Sequence, residues 1–398
     1  MPEAVIVATA RSPIGRAFKG SLTQERPDDL SVQVVRAALD QVPQLNPSEI
    51  DEVLLGCALP GGEQGFNIAR AVSVLLGLDS VPGATVNRYC ASSLQTTRMA
   101  AHAIWSSEAE VVVSGGVEMV SRLIPGNPDL ASAQNDRFAS RPSESSGRWV
   151  DPRLNGHVPN LHIDMGSTAE NVAGLYNLSR EEMDEFAFHS QMKAKASLES
   201  GFWKTDISPV ILADGTALAA DDGPRPSTTR EGLAGLVPVF REDGLITAGN
   251  SCGLNDGAAA LVIMSDSKAR ELGITPLARI VSTAVSGLSP EIMGLGPIEA
   301  TRRALALAGL SVSDVDQFEI NEAFAAQVIP SQRELGIPDH KLNVNGGAIA
   351  LGHPYGMTGA RITTTLINSL AWRDEVVGVE TMCVAGGMGM SMVIERLK

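Results

Sequence analysis

The sequence predicts an α/β fold made of two duplicated halves, with a further domain inserted into the first. Three observations predict it. Strand-length apolar runs alternate with segments of helical periodicity, the pattern of a largely parallel sheet covered by helices. A helix-then-strand passage occurs twice: Ile298, Ala300, Thr301, Ala304, Leu305 and Leu307 followed by Val315 to Ile320 repeat Val34 to Leu39 followed by Ile50 to Leu55. Between the copies lies a stretch of different composition. The expected organisation is a first half over residues 1–121 completed by 247–268, an inserted loop domain over 122–246, and a second half over 269–398.

Val5-Ile6-Val7 begins a strand almost at the first residue. Arg11-Ser12-Pro13-Ile14-Gly15 reads as a turn, and Leu30, Val34, Val35, Ala38 and Leu39 recur at helical spacing before a Pro/Asn break. Ile50 to Gly56 reads as the next strand. Val86 closes a buried strand, while Leu94, Arg98, Ala101 and Trp105 recur at helical spacing, so Cys90 falls where strand turns into helix. Val111-Val112-Val113 is again a strand, ending in Ser114-Gly115-Gly116-Val117-Glu118-Met119.

From Arg122 to Asn160 periodicity gives way to Pro, Asn, Ser, Arg and Asp, which predicts a long functional or lid-like excursion. Ser167-x-x-Glu170 and Ser179-x-x-Glu182 are capping-box signatures and predict two helix starts. A Gly/Pro/Thr-rich segment from Asp222 to Gly235 leads to Thr247-Ala248-Gly249-Asn250-Ser251-Cys252-Gly253-Leu254-Asn255-Asp256-Gly257. Ala258 to Met264 then returns as a core strand. In the last third, Val344-Asn345 mirrors Val86-Asn87, and Ala385-Gly386-Gly387-Met388-Gly389-Met390 mirrors Ser114 to Met119. Two similar halves packed helix to helix place a site at their junction.

At 398 residues the chain is longer than a single growing core accommodates, and 44% hydrophobic residues suffice for two or three domains. The net charge of −15 argues against a nucleic-acid or anionic-membrane partner, although a local basic patch can still receive a phosphorylated ligand. Cys57, Cys90, Cys252 and Cys383 are scattered singly, without the paired spacing of a zinc site or a redox dithiol, which points to a reducing compartment. No leader precedes the first strand and no apolar run is long enough to span a bilayer, so a soluble cytoplasmic protein is expected.

Free N–H groups and the helix dipole at a strand-to-helix turn favour an anion, so the position of Cys90 is expected to lower its pKa. The plainer reading is a small buried hydrophobe. His353 stands in Gly346-Gly347-Ala348-Ile349-Ala350-Leu351-Gly352-His353-Pro354-Tyr355-Gly356-Met357-Thr358-Gly359-Ala360-Arg361, a glycine-flanked loop opening a helix, where core filling explains a histidine poorly. His102 continues a helical face and reads as packing. His157, His162, His189 and His340 have no metal-ligand spacing, and no metal is expected.

The Cys90 stretch, Asn321-Glu322-Ala323-Phe324-Ala325, the Gly352-His353-Pro354 loop and Cys383 before its glycine cluster together resemble the thiolase family, in order and over essentially the whole chain. The resemblance implies a five-layered αβαβα fold with a loop domain inserted in the first half. It also implies Cys90 as the nucleophile that holds an acyl group, His353 as the base that activates it, and Cys383 as the acid/base at the substrate α-carbon. Asn321 is implied to hold a water beside His353 in one oxyanion hole, and the backbone N–H groups of Cys90 and Ala385 to form the other. Buried strand packing for Cys383 and helix capping for Asn321 are the structural alternatives.

Coenzyme A is the implied substrate and product, with no permanently bound cofactor, and Met165, Arg225, Ala248 and Cys252 are its implied contacts. Arg225 suits a phosphorylated ligand because its forked donors match phosphate oxygens. The implied reaction is reversible transfer of an acyl group between 3-ketoacyl-CoA and CoA, in fatty-acid or related acyl-CoA degradation. A short-chain acetoacetyl-CoA thiolase, a ketoacyl-synthase-like condensing enzyme and a non-catalytic acyl-CoA carrier are the alternatives. The family implies a homodimer or homotetramer, the latter bridged by residues 122–160, and a hydratase/dehydrogenase partner is an open possibility.

Four positions depart from the family pattern. Ser93 and Ala385 stand where glycine is usual, and a positive φ at Ala385 would cost roughly 1 kcal/mol or more. Cys252 replaces a serine beside the pantetheine. Asp164 stands where short-chain biosynthetic members have histidine, which favours the degradative reading.

Overall fold

The computed structural model describes residues 2–123, 135–138 and 148–397, so the middle of the excursion expected over 122–160 lies outside the described residues. The first half runs through β1 (Ala4–Arg11), β2 (Gly15–Arg16), α1 (Pro27–Leu39), β3 (Glu52–Gly56), α2 (Ile68–Leu75), β4 (Gly83–Val86), α3 (Ser92–Trp105) and β5 (Val111–Met119). A mostly helical stretch follows: α4 (Met165–Tyr176), α5 (Arg180–Ser200), α6 (Trp203–Asp206), the small hairpin β6 (Val210–Ile211) and β7 (Ala217–Leu218), and α7 (Arg230–Ala234). β8 (Asn255–Ser265) returns to the sheet and is followed by α8 (Asp266–Glu271). The second half comprises β9 (Ala278–Gly287), α9 (Gly296–Ala308), β10 (Gln317–Ile320), α10 (Ala325–Leu335), α11 (Ala348–Leu351), α12 (Thr358–Arg373), β11 (Val377–Val384) and β12 (Met388–Arg396).

The strands form one sheet in the order β10-β11-β12-β9-β1-β8-β5-β3-β4, with β2 added to β8. Its two sides repeat one pattern. In the first half β3 is parallel to β5, and β5, β8 and β1 are successively antiparallel. In the second half β10 is parallel to β11, and β11, β12 and β9 are successively antiparallel. Among the described residues, the strand register joins the two sides at Val5 with Arg279 and Ile6 with Ala278.

Side-chain alternation along β1 shows the layers. Val5 and Val7 pack with α1 and α2 through Leu30, Val34, Val35, Ile68 and Val72, forming one outer layer. Ile6 points the other way, into a cluster with Leu94, Ala101 and Ile104 of α3, Ala360, Leu366 and Leu370 of α12, and Met382 and Met390 of β11 and β12. On the far side α9 covers the second half through Ile298, Ala304 and Leu305 against Phe318, Val379 and Val393. The layers are thus helix, sheet, helix, sheet, helix, with α3 and α12 as the shared middle.

That middle requires close backbone approach. A Cβ on Gly359 would lie 2.4 Å from the Leu94 nitrogen, so glycine lets α12 cross α3 in contact. α12 is buried along nearly its whole length, and Thr363 and Thr364 bond their hydroxyls to the carbonyls of Gly359 and Ala360. Internal bonding of this kind removes the cost of roughly 1–3 kcal/mol for each buried unpaired polar group.

Four sequence expectations are revised. The first capping box is not one: α4 begins at Met165 with Asp164 as its cap, whose carboxylate accepts from the Ser167 N–H at 2.8 Å, and Glu170 instead accepts from the N–H groups of Leu245 and Ile246. The second holds only for the serine, since Ser179 accepts from the Glu182 N–H. The glycine motifs are not structural copies: Gly115 and Gly116 lie within β5, whereas Ala385 to Gly387 make the turn between β11 and β12. Val344-Asn345 matches Val86-Asn87 in position only, because where β4 pairs with β3 over four residues the second half has a single bridge from Phe318 to Leu342.

Candidate active site

β4 ends at Val86, and a tight turn over Tyr89–Ala91 delivers the chain into α3. Side chains hold this turn. Asn87 accepts from the Tyr89 N–H at 2.8 Å and donates to the Ala58 carbonyl at 3.0 Å, while Ser92 accepts from the Arg88 N–H at 2.9 Å and donates to the Tyr89 carbonyl at 2.6 Å. Cys90 sits in the turn, buried, with its sulfur facing the backbone N–H groups of Ala385 and of Cys90 itself. Burial pushes its thiol up to about 11 in spite of those donors. This reverses the lowered pKa expected from a helix start, because loss of hydration outweighs two N–H groups and a helix that begins two residues later.

His353 lies between α11 and α12. Its backbone N–H donates to Asn255 Oδ1 at 3.0 Å, and its ring is fixed at both nitrogens: Nδ1 is 2.6 Å from Thr358 Oγ1, and Nε2 is 3.3 Å from Asn321 Nδ2. The Thr358 hydroxyl donates to the Pro354 carbonyl at 3.0 Å and so accepts from Nδ1–H. That assignment leaves the lone pair on Nε2, toward the amide of Asn321. Burial, reinforced by the charge of Arg361, holds the imidazole down at about 3. Both His353 and Cys90 are therefore neutral near pH 7.

Asn321 follows β10 and is anchored by its N–H to the Thr381 carbonyl at 3.0 Å; its Oδ1 is buried without a hydrogen-bond partner among the described residues. It caps no helix, since α10 starts at Ala325. Cys383, the next-to-last residue of β11, is fully buried, and burial followed by the proximity of Cys90 and Cys252 raises its thiol pKa. Cys252 is half-buried, bonded by its N–H to the Ala323 carbonyl at 3.0 Å, and burial pushes its thiol up to about 12. Tyr355 completes the cluster, its ring 5.2 Å from that of His353 and near the thiols of Cys90 and Cys252.

Three departures from the expected pattern have local explanations. Ala385 has no positive φ; Gly386 at 77° and Gly387 at 79° make the left-handed turn after it, so the expected penalty is absent. The Ser93 hydroxyl accepts from the Ala360 N–H at 2.9 Å, stitching the first turn of α3 to that of α12. Asp164 acts as a helix cap, which explains the aspartate without reference to chain length.

A cavity of about 320 Å³ opens beside His353, lined by Leu254, Asn255 and Gly352 at its inner end and by Arg16, Lys19 and Arg225 farther out. Ala248 and Arg225, two of the implied coenzyme A contacts, line this cavity. Met165 and Cys252 do not: Met165 packs against the apolar cluster of α4, α5 and α10, and Cys252 lies between the lining residues Ser251 and Gly253.

Sequence reasoning missed Thr358, Asn255, Glu118, Arg16 and Lys19. Glu118, fully buried in β5, accepts from the N–H groups of Ala58, Leu59 and Gly356 at 2.8, 3.2 and 2.9 Å and from Gln64 Nε2 at 3.0 Å. It thereby ties the loop that follows His353 to the first half. A carboxylate interrupting an apolar strand was the available signal; Thr358 offered none, since a threonine at a helix start reads as a cap.

The chain matches the thiolase N-terminal domain over residues 4–267 and the thiolase C-terminal domain over residues 274–396. It is 43% identical to a 3-ketoacyl-CoA thiolase of Bacillus subtilis (strain 168), over 99% of this chain and 100% of the relative. It is 44% identical to an acetyl-CoA acetyltransferase of Escherichia coli (strain K12), over the whole of both chains. The crystal structure of the Bacillus anthracis acetyl-CoA acetyltransferase superposes with a TM-score of 0.88 at 41% identity, covering 100% of this chain and 99% of that one. With this fold and this cysteine–histidine site, the chain belongs to the thiolase family. It is an acyltransferase.

Proposed function

We propose that the protein cleaves 3-ketoacyl-CoA with CoA, reversibly, through an acyl group on Cys90. The observation that supports this is a buried cysteine, its sulfur on the Ala385 N–H, in one cluster through Tyr355 with a histidine whose Nε2 lone pair is set by Thr358. Thiol and imidazole rest uncharged, so the proton moves only as a substrate carbonyl arrives. Cys90 Sγ attacks the 3-keto carbon while His353 Nε2 takes the thiol proton. The developing oxyanion is met by positioned donors, each worth about 3 kcal/mol of barrier.

The bond between the α-carbon and the former keto carbon then breaks. Its electron pair stays on the α-carbon, which takes a proton from Cys383 and leaves as acetyl-CoA. CoA–SH attacks the acyl-Cys90 carbonyl and gives its proton to the Cys383 thiolate; the Cys90 sulfur departs and recovers its proton from His353. Every group is thus restored. Asn321 steadies the imidazole side and, with His353, an oxyanion. The cavity beside His353 admits the pantetheine arm, with Arg16, Lys19 and Arg225 toward the phosphates. Met165 and Cys252 support that wall from behind.

The degradative direction is the reading for this chain, consistent with a relative named 3-ketoacyl-CoA thiolase. A homo-oligomer is the expected assembly, supported by β4, which ends the sheet with one unpaired edge and no Lys or Pro within it. No helix among the described residues is long and apolar enough to cross a membrane. The test is covalent trapping: incubation with acyl-CoA followed by peptide mass mapping places the acyl group on Cys90 and none in Cys90→Ala. An adduct on another residue overturns the assignment.

A further inference from the structure

Close to Cys90, and apart from the residues that line the cavity beside His353, lies an unmatched pair of cations. Arg88 is two residues from Cys90 and half-buried. Its Nε donates to Gln95 Oε1 at 2.8 Å and its Nη1 lies 3.6 Å from the Met388 sulfur, a weak acceptor. Arg98, one turn along α3 from Gln95, is close enough to disfavour the charge on Arg88, and its Nε is buried without a hydrogen-bond partner. Neither arginine forms an ion pair among the described residues, in a chain of net charge −15 where carboxylates are plentiful. Partly buried like charges without a counter-ion are costly, and guanidinium groups in this state are matched by a carboxylate in bidentate geometry.

The position of the pair identifies the ligand. Met388, which Arg88 touches, closes with Tyr89 and Leu161 around Gly386, the neighbour of Ala385, whose N–H faces the Cys90 sulfur. None of Arg88, Tyr89, Leu161 or Met388 lines the CoA cavity. Tyr89, Leu161 and Met388 thus form an apolar surface next to the Cys90 turn, with a cation beside it.

We propose that Arg88, backed by Arg98, is an anion subsite for the far end of the acyl group, and that the substrates are 3-ketoacyl-CoA thioesters whose chain ends in a carboxylate. The inference rests on the thiolase reading and adds the substrate class. Such a chain places methylenes against Met388 and Tyr89 and a carboxylate on Arg88.

The experiment compares thiolysis of two 3-ketoacyl-CoA substrates of equal chain length, one ending in a carboxylate and one in a methyl group, by the full chain. Wild type is expected to favour the carboxylate in kcat/KM. Arg88→Met is expected to lose about ten- to hundred-fold more on the carboxylate than on the methyl substrate, the range of one charged hydrogen bond. Arg88→Lys recovers part of that difference, Arg98→Gln shows a smaller loss of the same sign, and added salt weakens the wild-type preference. A wild type that cleaves the methyl substrate as well as or better than the carboxylate overturns the subsite and leaves the thiolase reading standing. Cleavage of neither, with no acyl group on Cys90, overturns the thiolase reading. Equal losses on both substrates in Arg88→Met, accompanied by a lower mass in solution, assign Arg88 to a contact between copies of the chain and also overturn the subsite.

Discussion

Replacing Thr358 by valine tests whether the reaction depends on which ring nitrogen of His353 bears the proton. Valine keeps the shape of the side chain and removes the hydroxyl that accepts from Nδ1 at 2.6 Å and donates to the Pro354 carbonyl at 3.0 Å. Thr358 and His353 are buried, at 0% and 1% exposure, so water does not replace the lost partner. A buried N–H left unpaired costs roughly 1–3 kcal/mol, which raises the Nδ1–H tautomer by that amount relative to the one that protonates Nε2. A base with its lone pair on the wrong nitrogen cannot take the Cys90 proton, and the same energy in the barrier corresponds to about ten- to hundred-fold in rate. Steady-state thiolysis should therefore show kcat falling by that factor, with KM for CoA moving less because Thr358 does not line the cavity proposed for CoA. Thr358→Ser restores the hydroxyl and most of the rate. A valine variant with a kcat within about two-fold of wild type would refute the tautomer argument, since the lost bond would then have no hold on the base.

Three further outcomes follow from the same geometry. His353 is held at about 3 when folded and returns toward 6.5 when unfolded, so between those values the unfolded chain binds more protons and stability falls as pH is lowered. Urea unfolding near pH 5 and pH 7 should show wild type losing about 2 kcal/mol more than His353→Asn on acidification, and equal losses would contradict a neutral buried imidazole. Glu118→Gln presents an amide N–H₂ to N–H donors of Ala58, Leu59 and Gly356; a destabilisation of roughly 1–3 kcal/mol with a lowered kcat is expected, read by thermal unfolding and thiolysis, and an unchanged melting point would deny Glu118 its place between the halves. Arg225→Ala should raise KM for CoA by about ten-fold while raising it less for pantetheine, which lacks the nucleotide; equal changes for both acceptors would remove Arg225 from the phosphate end.

Much of this protein is legible in its sequence because local chemistry repeats. The 3.6-residue recurrence of Leu30, Val34 and Ala38 and the apolar run Val111–Val113 report burial that each element must satisfy wherever it packs, and the repeated helix–strand passage reports a repeated half. Motif identity likewise points to Cys90, His353, Asn321 and Cys383, because several separated motifs of one family occur in order, although a cysteine at a helix start taken alone reads first as packing. The same reading fails where the deciding partner is distant. Ser167-x-x-Glu170 fits a capping box, yet Glu170 is engaged by Leu245 and Ile246, some 75 residues on. Ser-Gly-Gly and Ala-Gly-Gly are alike as strings, and only the sheet makes one a strand interior and the other a turn.

The sequence by itself determined the alternation of elements and the duplication, and it pointed to the candidate reactive side chains, since each of these readings depends on neighbours within a few turns. The tertiary structure decided their chemical state. Cys90 has a helix start in sequence and a dehydrated sulfur in space, and it is the dehydration, set by β11, α12 and the Ala385 turn, that puts its thiol at about 11 rather than below its ordinary value. The tautomer of His353, the hold of Glu118 across the two halves, and the unmatched charges of Arg88 and Arg98 have the same origin: electrostatic energies depend on distance and on water excluded by distant segments, and neither is written in the order of residues along the chain.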